Sequence, residues 1–501
     1  MELLGNLQIG FATAVSLNSL FYCFVGCLLG TLIGVLPGLG PAATIAMLLP
    51  ITFGLDPASS VIMLAGIFYG AQYGGSTTAI LVNIPGEASS VVTAIDGYQM
   101  ARQGQAGLAL STAAIGSFFA GTVATLIIAL MAPVLAAAAL TFNAPEYFAL
   151  MVLGLVVSVV LAHGSLIKAL AMICLGMLLG LIGTDVTSGT ERLTFGSNEL
   201  ADGLDIVAVA IGLYGVGEVI ANLNAPAEQR TAAGKAITGL LPSRADMRRI
   251  WAPILRGTGI GSLLGVLPGA GALLSSFVAY AVEKKISRHP HRFGHGAIEG
   301  VASPEAANNA GSQTSFIPML TLGLPSNVIM ALMIGALTIQ GIQPGPEMIT
   351  NQPQLFWGLI VSMWVGNLIL IILNLPLIGL WVKLLTIPYR YLFPAILVFC
   401  CIGAFTLGNS VFDVYVMIAF GVLGYLLKYL DCEPAPFILG FVLAPMIEEY
   451  LRRSMLLARG DPTIFISRPL SAVLLTLAAL AILAVALPAV RKTRDEALVE
   501  E

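Results

Sequence analysis

Two clusters of polar residues interrupt otherwise apolar sequence, one in each half of the chain. The first, between Tyr69 and Gly86, contains Gly75, Ser76, Thr77, Thr78, Asn83 and Pro85. The second, between Ser303 and Ser315, contains Asn308, Asn309, Ser312 and Thr314. Hydroxyl and amide groups can donate several hydrogen bonds to carboxylate oxygens without burying a full positive charge. The clusters therefore predict a binding site for a small carboxylate. The alternative is that individual hydroxyls bond carbonyls of their own helices.

Each half also carries a Pro-Gly-x-Gly break within a glycine-rich apolar segment. The breaks are formed by Pro37, Gly38 and Gly40 and by Pro268, Gly269 and Gly271. Proline cannot continue a helix and glycine permits a turn, so we predict two re-entrant hairpins with these residues at their tips. Helix starts at such breaks leave unpaired N–H groups that attract anions. Glycine ladders run through these segments, with glycine at 26, 30, 34 and 38 and again at 257, 261, 265 and 269. We expect the ladders to serve close helix packing and the tips to bind the anion.

A second pair of breaks ends the two polar clusters. The first cluster ends at Pro85 and Gly86, and the second is followed by Pro325 and Ser326. Interrupted segments at matching positions of two halves are a sequence signature of a transporter binding site. Because serine stands in the second half where glycine stands in the first, the two half-sites are expected to be chemically unequal.

Glu305 is the ionisable residue that the second cluster encloses. A carboxyl group in low dielectric favours its protonated form, so Glu305 is a candidate proton carrier or Na⁺ ligand. The alternative is a carboxylate that starts a helix after Ser303 and Pro304 and is stabilised by the helix dipole. Glu87 and Asp96 are weaker candidates because their neighbourhoods are more polar.

The composition requires the bilayer as solvent. The chain has 501 residues, of which 57% are hydrophobic and only 10% charged, against roughly 25% charged in an average soluble domain. Apolar runs such as Ser111–Leu130, Trp357–Leu373, Tyr391–Leu407 and Leu470–Val490 are long enough to span hydrocarbon, and roughly ten to twelve such spans are expected. We predict an all-α polytopic membrane protein with re-entrant or broken helices.

The break segments belong to a longer internal repeat. The sequence GTLIGVLPGLG that begins at Gly30 recurs as GSLLGVLPGAG from Gly261, a shift of 231 residues. Later matches, including Ser117 with Ser362, share a shift of 245 residues. We predict a first transmembrane repeat over residues 1–222, a basic linker over 223–256, a second repeat over 257–468, and an extra transmembrane helix with a tail over 469–501.

The positions of the basic residues predict how the two repeats are oriented. The linker is rich in arginine and is therefore expected to be cytoplasmic, as is the tail. Corresponding loops of the two repeats carry basic residues on opposite sides, which is what inverted-topology repeats produce. One loop disagrees, since Arg452, Arg453 and Arg459 fall where this scheme expects the periplasm.

Several other functions are disfavoured by the sequence. It has no P-loop, and no convincing Ser/His/Asp or metal-binding set lies within the apolar runs, so we do not expect an enzyme. His289, His291 and His295 share a loop with four basic residues and fit a solvated cytoplasmic loop. We expect neither a cofactor, beyond a coupling ion that is H⁺ or Na⁺, nor a nucleic-acid partner.

Four motifs together carry a family resemblance, and they are GGSTTAILVNIPG from Gly74, PEAANNA from Pro304, IPMLTLGLP from Ile317 and GIQPGP from Gly341. They resemble the large membrane subunit of the tripartite tricarboxylate transporters, over roughly residues 15–460. The resemblance implies a bacterial inner-membrane secondary transporter that imports a di- or tricarboxylate, driven by an ion gradient. It also implies two partners, a small membrane subunit and a periplasmic substrate-binding protein. A stand-alone carrier or channel for another solute, and a membrane enzyme or scaffold, are the alternatives.

Overall fold

The computed structural model describes residues 2–36, 40–83, 86–161, 165–185, 188–223, 239–267, 271–385 and 389–486. In these residues the chain is helical almost throughout. Strands occur there only as a two-residue antiparallel pair, β1 (Gly183–Thr184) and β2 (Glu191–Arg192). The predicted all-α class is therefore confirmed.

The first half, as far as the structure describes it, contains ten α-helices. They are α1 Glu2–Ala14, α2 Leu17–Gly34, α3 Pro41–Leu48, α4 Pro57–Val82, α5 Ser90–Arg102, α6 Ala106–Ala139, α7 Ala144–Leu161, α8 Leu166–Gly180, α9 Ile206–Ala210 and α10 Gly217–Leu223. Short 3-10 segments cover Leu49–Thr52 and Asn198–Leu200, and a π-helical segment, Ile211–Val216, joins α9 to α10.

The second half contains thirteen α-helices within its described residues. They are α11 Arg244–Leu264, α12 Gly271–Ile286, α13 Glu299–Thr314, α14 Phe316–Leu322, α15 Val328–Ile339, α16 Met348–Asn351, α17 Pro353–Asn374, α18 Ile378–Leu384, α19 Tyr389–Gly408, α20 Val411–Tyr429, α21 Pro434–Leu457, α22 Ile464–Ser467 and α23 Pro469–Ala486. A 3-10 turn covers Pro290–Arg292.

Five of the described helices, α2, α6, α17, α20 and α21, are both long and apolar enough to cross a membrane. Seven shorter apolar segments of 10–17 residues accompany them. The apolar runs singled out in the sequence coincide with α6, α17, α19 and α23. This agrees with a polytopic membrane protein, whereas the number of complete spans stays a prediction.

Helix contacts within one half have counterparts in the other. The pair α2 and α4 matches the pair α11 and α13, and the contact of α6 with α13 matches that of α17 with α4. Likewise, the contact between α3 and α15 matches the contact between α12 and α5. Such paired contacts are what a duplication produces, and they place the two halves face to face. Their opposite orientation in the membrane stays a prediction.

The glycine ladders form the closest helix contacts of each half. A Cβ atom at Gly30 of α2 would lie 2.8 Å from the Cα of Ile67 on α4, and one at Gly261 of α11 would lie 2.8 Å from the Cα of Ala307 on α13. No side chain larger than hydrogen fits at such a separation, so the ladders let two backbones meet directly. The predicted packing role of the ladders is confirmed.

The basic segment between the halves becomes helical earlier than the predicted linker boundary at residue 256. Ser243 and Asp246 form a reciprocal capping box at the start of α11, which satisfies backbone donors there. Arg249 then pairs with Glu299 at 3.0 Å, and Arg256 pairs with Glu283. The arginines therefore fasten α11 to the following elements.

Two of the three arginines that disagree with the charge scheme lie in α21 and are paired with carboxylates. Arg452 contacts Asp185 at 2.8 Å as well as Glu448, and Arg453 pairs with Glu449. These ion pairs fasten α21 to the segment around Asp185, and the side of the membrane on which the arginines lie stays a prediction.

Candidate binding site

A cavity of about 490 Å³ lies between the two halves. Its lining comes from both repeats and consists of residues 40–43, Phe68, Gln72, 86–89, Ser158, Tyr214, Glu218, 271–273, Ser312, 327–329, 433–436 and Leu439. Gly40 and Gly271, the two predicted tip residues that the structure describes, both belong to it. Binding of a substrate by the two tips stays a prediction.

Five helices begin at this cavity. Residues 40–43, 271–273, 327–329 and 433–436 include the starts of α3, α12, α15 and α21, and residues 86–89 directly precede α5. The N-terminal end of a helix carries about half a positive elementary charge and exposes N–H groups without helical partners. Several such ends around one space form a site that favours an anion.

The ionisable side chains of the lining are all acidic. They are Glu87, Glu218 and Glu433, and the lining contains no lysine, arginine or histidine. Glu218 pairs with Lys428 at 2.8 Å. The groups that this lining offers to an anion are therefore helix ends and neutral side chains, and not basic side chains.

A chain of hydrogen bonds crosses from one half to the other at the edge of the cavity. The side-chain amide of Gln72 on α4 donates to Ser312 Oγ on α13, and Ser312 Oγ donates to the carbonyl of Asn308 at 2.9 Å. Asn308 Nδ2 donates to Glu87 Oε1 at 2.7 Å. Gln72 Oε1 and Asn308 Oδ1 are buried without a hydrogen-bond partner. Two acceptors are thus left unused beside the cavity.

Glu305 lies in a separate cluster beneath the cavity. Its Oε1 accepts from Ser76 Oγ at 2.7 Å and Ser117 Oγ at 3.2 Å, and its Oε2 accepts from Thr93 Oγ1 at 2.8 Å. Asn309 Nδ2 donates to the same carboxyl at 3.3 Å. These donors come from α4, α5, α6 and α13, so the carboxyl fastens the second half to three helices of the first.

The position of Glu305 also decides its alternative interpretation. Helix α13 begins at Glu299 and continues through Pro304, so Glu305 lies beyond the first turn. The interpretation of Glu305 as a helix-starting carboxylate is therefore wrong. Its role in ion coupling stays a prediction.

The other predicted binding residues divide into two groups. Gly40, Gly271 and Ser312 line the cavity. Most of the remaining described residues use their polar groups within the helices. The hydroxyls of four of them donate to main-chain carbonyls: Thr77 to Tyr73, Thr78 to Val35 and Gly74, Thr314 to Ala310, and Ser326 to Ser315. The carbonyl of Gly75 accepts from Gly86 N, Pro325 is buried, and Asn83 ends α4. Pro37, Gly38, Pro85, Pro268 and Gly269 lie outside the described residues.

Most lining residues were not chosen from the sequence, and three of them are Gln72, Asn327 and Glu433. Gln72 stood in the first cluster but was not distinguished from its neighbours, although its side chain is only 1% exposed. Asn327 caps α15 by accepting from Met330 N, and its position after the break at Pro325 could have indicated this. Glu433 precedes α21, and nothing in its local sequence connects it with the other half.

Asp96, the other weak candidate, has a structural role. Its carboxylate accepts from the backbone N–H groups of Gly294, Gly296 and Ala297 at 2.8–2.9 Å, and from Tyr280 Oη at 2.9 Å. It thereby holds the loop after α12 against α5. The loop that contains the three histidines is exposed at His289 and His291.

Comparison with known proteins identifies relatives of the whole chain. Residues 20–439 match the family described as the tripartite tricarboxylate transporter TctA family. A protein of Agrobacterium vitis described as an uncharacterized 52.8 kDa protein in the TAR-I ttuC' 3' region is 59% identical over 501 residues, covering all of both chains. A second Agrobacterium vitis protein, from the TAR-II ttuC' 3' region, is 60% identical over 241 residues, which is 48% of this chain and all of that protein. No solved structure matches the chain.

Proposed function

The chain belongs to the tripartite tricarboxylate transporter TctA family, and from this premise we propose that it imports a small di- or tricarboxylate as the membrane subunit of a secondary transporter. The transporter depends on a periplasmic binding protein, includes a small membrane subunit and lies in the bacterial inner membrane. An ion gradient drives the import. Membership of the family supports the class of transporter, and the cavity supports the class of substrate.

The observation that carries the proposal is the convergence of five helix starts on one cavity between the halves. Carboxylate oxygens accept hydrogen bonds, and free N–H groups at helix starts donate them. A volume of about 490 Å³ lies within the usual range for small-molecule sites, about 300–1,000 Å³. Because the lining has no basic side chain, the site binds an anion without holding it through a strong ion pair, which favours release on the other side.

The arrangement of the site suggests how transport proceeds. Each half contributes broken segments, and the substrate lies between them, as in other transporters with discontinuous helices. Movement of one half against the other, which is part of the proposal, exposes this position alternately to the two sides of the membrane.

A cavity-filling variant tests the proposal. Ala42 lies at the start of α3 and lines the cavity, so Ala42→Phe places a ring in the space of the substrate. We expect the purified full-length chain to bind citrate or succinate, and the variant to bind them at least about tenfold more weakly. Equilibrium dialysis with radiolabelled citrate and succinate measures both affinities.

Ala479→Phe is the matched control, because Ala479 is exposed on α23, away from the cavity. Its affinity should equal that of the wild-type chain. Equal affinity in wild type and Ala42→Phe would remove the cavity from the proposal. Uptake that is unchanged without the periplasmic protein would favour a stand-alone carrier instead.

A further inference from the structure

Two unpaired acceptors at the edge of the cavity call for a partner. Gln72 is 1% exposed and Asn308 is fully buried, and the side-chain oxygen of each has no hydrogen-bond partner. An acceptor buried in this way has lost its bonds to water without replacing them, which destabilises the folded state. Gln72 and Ser312 line the cavity, and Asn308, which is outside the lining, lies one helical turn before Ser312 on α13.

The hydrogen bonds of the two amides assign which end of each amide is left without a partner. Ser312 donates its hydroxyl hydrogen to the main-chain carbonyl of Asn308, and Gln72 faces Ser312 with its NH₂ group. Glu87 offers a carboxylate oxygen, so Asn308 must face Glu87 with its NH₂ group. Both amides are thus oriented by acceptors, and both oxygens are left over.

The chemistry of the missing partner follows from its surroundings. The unused atoms are two neutral amide oxygens, and a carboxylate bonded to one of these amides lies beside them. Carboxylate and carbonyl oxygens are the ligands of hard cations. One carboxylate with two neutral oxygens balances a single positive charge, and a cation here also offsets the acidic lining next to an anionic substrate.

We propose that Gln72 Oε1, Asn308 Oδ1 and the carboxylate of Glu87 bind a monovalent hard cation, Na⁺, which enters the cavity together with the substrate carboxylate. This inference rests on the proposed function and specifies its coupling ion. The ligands come from α4, from α13 and from the segment before α5, so a bound cation joins the two halves next to the substrate. Binding of the cation therefore raises the affinity for the carboxylate, and binding of the carboxylate raises the affinity for the cation.

Direct binding of radiolabelled Na⁺ to the purified full-length chain tests the site without any carboxylate. The variants are Glu87→Gln, which removes the charge, and Gln72→Met, which removes one oxygen at similar length. We expect the wild-type chain to bind Na⁺ in preference to K⁺, and each variant to bind it at least about tenfold more weakly. Having two variants keeps the test valid if one of them fails to fold.

Gln313→Met is the matched control. Gln313 is 3% exposed on α13, and its oxygen already accepts from Thr125 at 3.3 Å. The same substitution there should leave Na⁺ affinity at the wild-type value. Absence of saturable Na⁺ binding to the wild-type chain, or equal affinity in all four proteins, would overturn the inference and leave water as the partner of the two oxygens.

A second measurement separates this inference from the proposed function. Citrate affinity of the wild-type chain is determined in sodium chloride and in choline chloride at equal ionic strength. We expect at least about fivefold tighter citrate binding in sodium, as for a typical coupling between two ligands. Citrate binding that is equal in both salts rejects the cation and keeps the carboxylate site, whereas absence of citrate binding in either salt rejects the proposed function.

Discussion

Glu305 and Glu87 are two carboxylates that meet the opposite half of the molecule in different ways. Glu305 is 1% exposed, accepts hydrogen bonds from side chains of four helices, and adjoins a space of only about 20 Å³. Glu87 accepts from Asn308 and from Ser89, and it lines a cavity of about 490 Å³. Asn308 and Glu305 lie on the same helix, so α13 serves both places.

The difference shows that burial of a charged residue does not by itself indicate a ligand site. Where neutral donors occupy both oxygens, as at Glu305, the carboxylate fastens helices together and has little capacity left for a ligand. Where donors are few and acceptors are unused, as around Glu87, a ligand improves the local hydrogen bonding. The geometry therefore favours Glu87 over Glu305 as the residue that senses the transported ion.

The largest effect on stability is expected from Glu305→Ala. The change leaves hydroxyl and amide donors from four helices without their acceptor, at a cost on the order of 4 kcal/mol for several buried groups. We expect a strongly lowered midpoint of thermal unfolding, measured on the detergent-solubilised chain. Glu305→Gln retains one acceptor oxygen and should lie between alanine and wild type. Glu87→Gln should keep the wild-type midpoint, and a midpoint as low as that of Glu305→Ala would abolish the contrast between the two carboxylates.

An intermediate effect is expected from Gly261→Val. This glycine lets α11 approach α13, and a Cβ atom would lie 2.8 Å from the Cα of Ala307. Overpacking of this kind costs about 1–3 kcal/mol. Because α13 carries both Glu305 and Asn308, the variant should lose stability and Na⁺ affinity together.

Gly259→Val provides the control for this seam. Gly259 lies on the same helix, two residues away, and nothing lies within 4 Å of the position of its Cβ. It should behave like the wild-type chain in both measurements. Loss of stability without loss of Na⁺ affinity in Gly261→Val would show that the two regions of α13 are independent.

Much of the fold could be predicted from the sequence because it depends on local patterns. The apolar runs predicted the helices, and the glycine ladders predicted the close helix contacts, since only glycine permits backbones to meet as they do at Gly30 and Gly261. Residues 244–256 belong to α11, although the sequence analysis assigned them to the linker because their arginines suggest a solvated segment. Their partners, Glu283 and Glu299, lie 27 and 50 residues further along the chain.

The site was predictable only in outline. Sequence spacing identified the broken segments, and Gly40 and Gly271 do line one cavity. It did not show which polar side chains are consumed by helix contacts, because that depends on neighbours from the other half. Ser76 and Gln72 are one helical turn apart on α4, yet one bonds Glu305 and the other faces the cavity.

The smallest effect is expected from Thr77→Val. Thr77 was predicted to bind substrate, but its hydroxyl donates to Tyr73 of its own helix at 3.0 Å, and it borders the small space beside Glu305. The isosteric change removes only this hydroxyl, so the free energy of unfolding should change by less than about 0.5 kcal/mol. The affinity for citrate should stay unchanged. Ser76→Ala, one residue earlier, removes a donor to Glu305 and should cost about 1–3 kcal/mol at the same citrate affinity. Weaker citrate binding in Thr77→Val would extend the substrate site into the Glu305 cluster, because no other bond of Thr77 connects it with the cavity in the described residues.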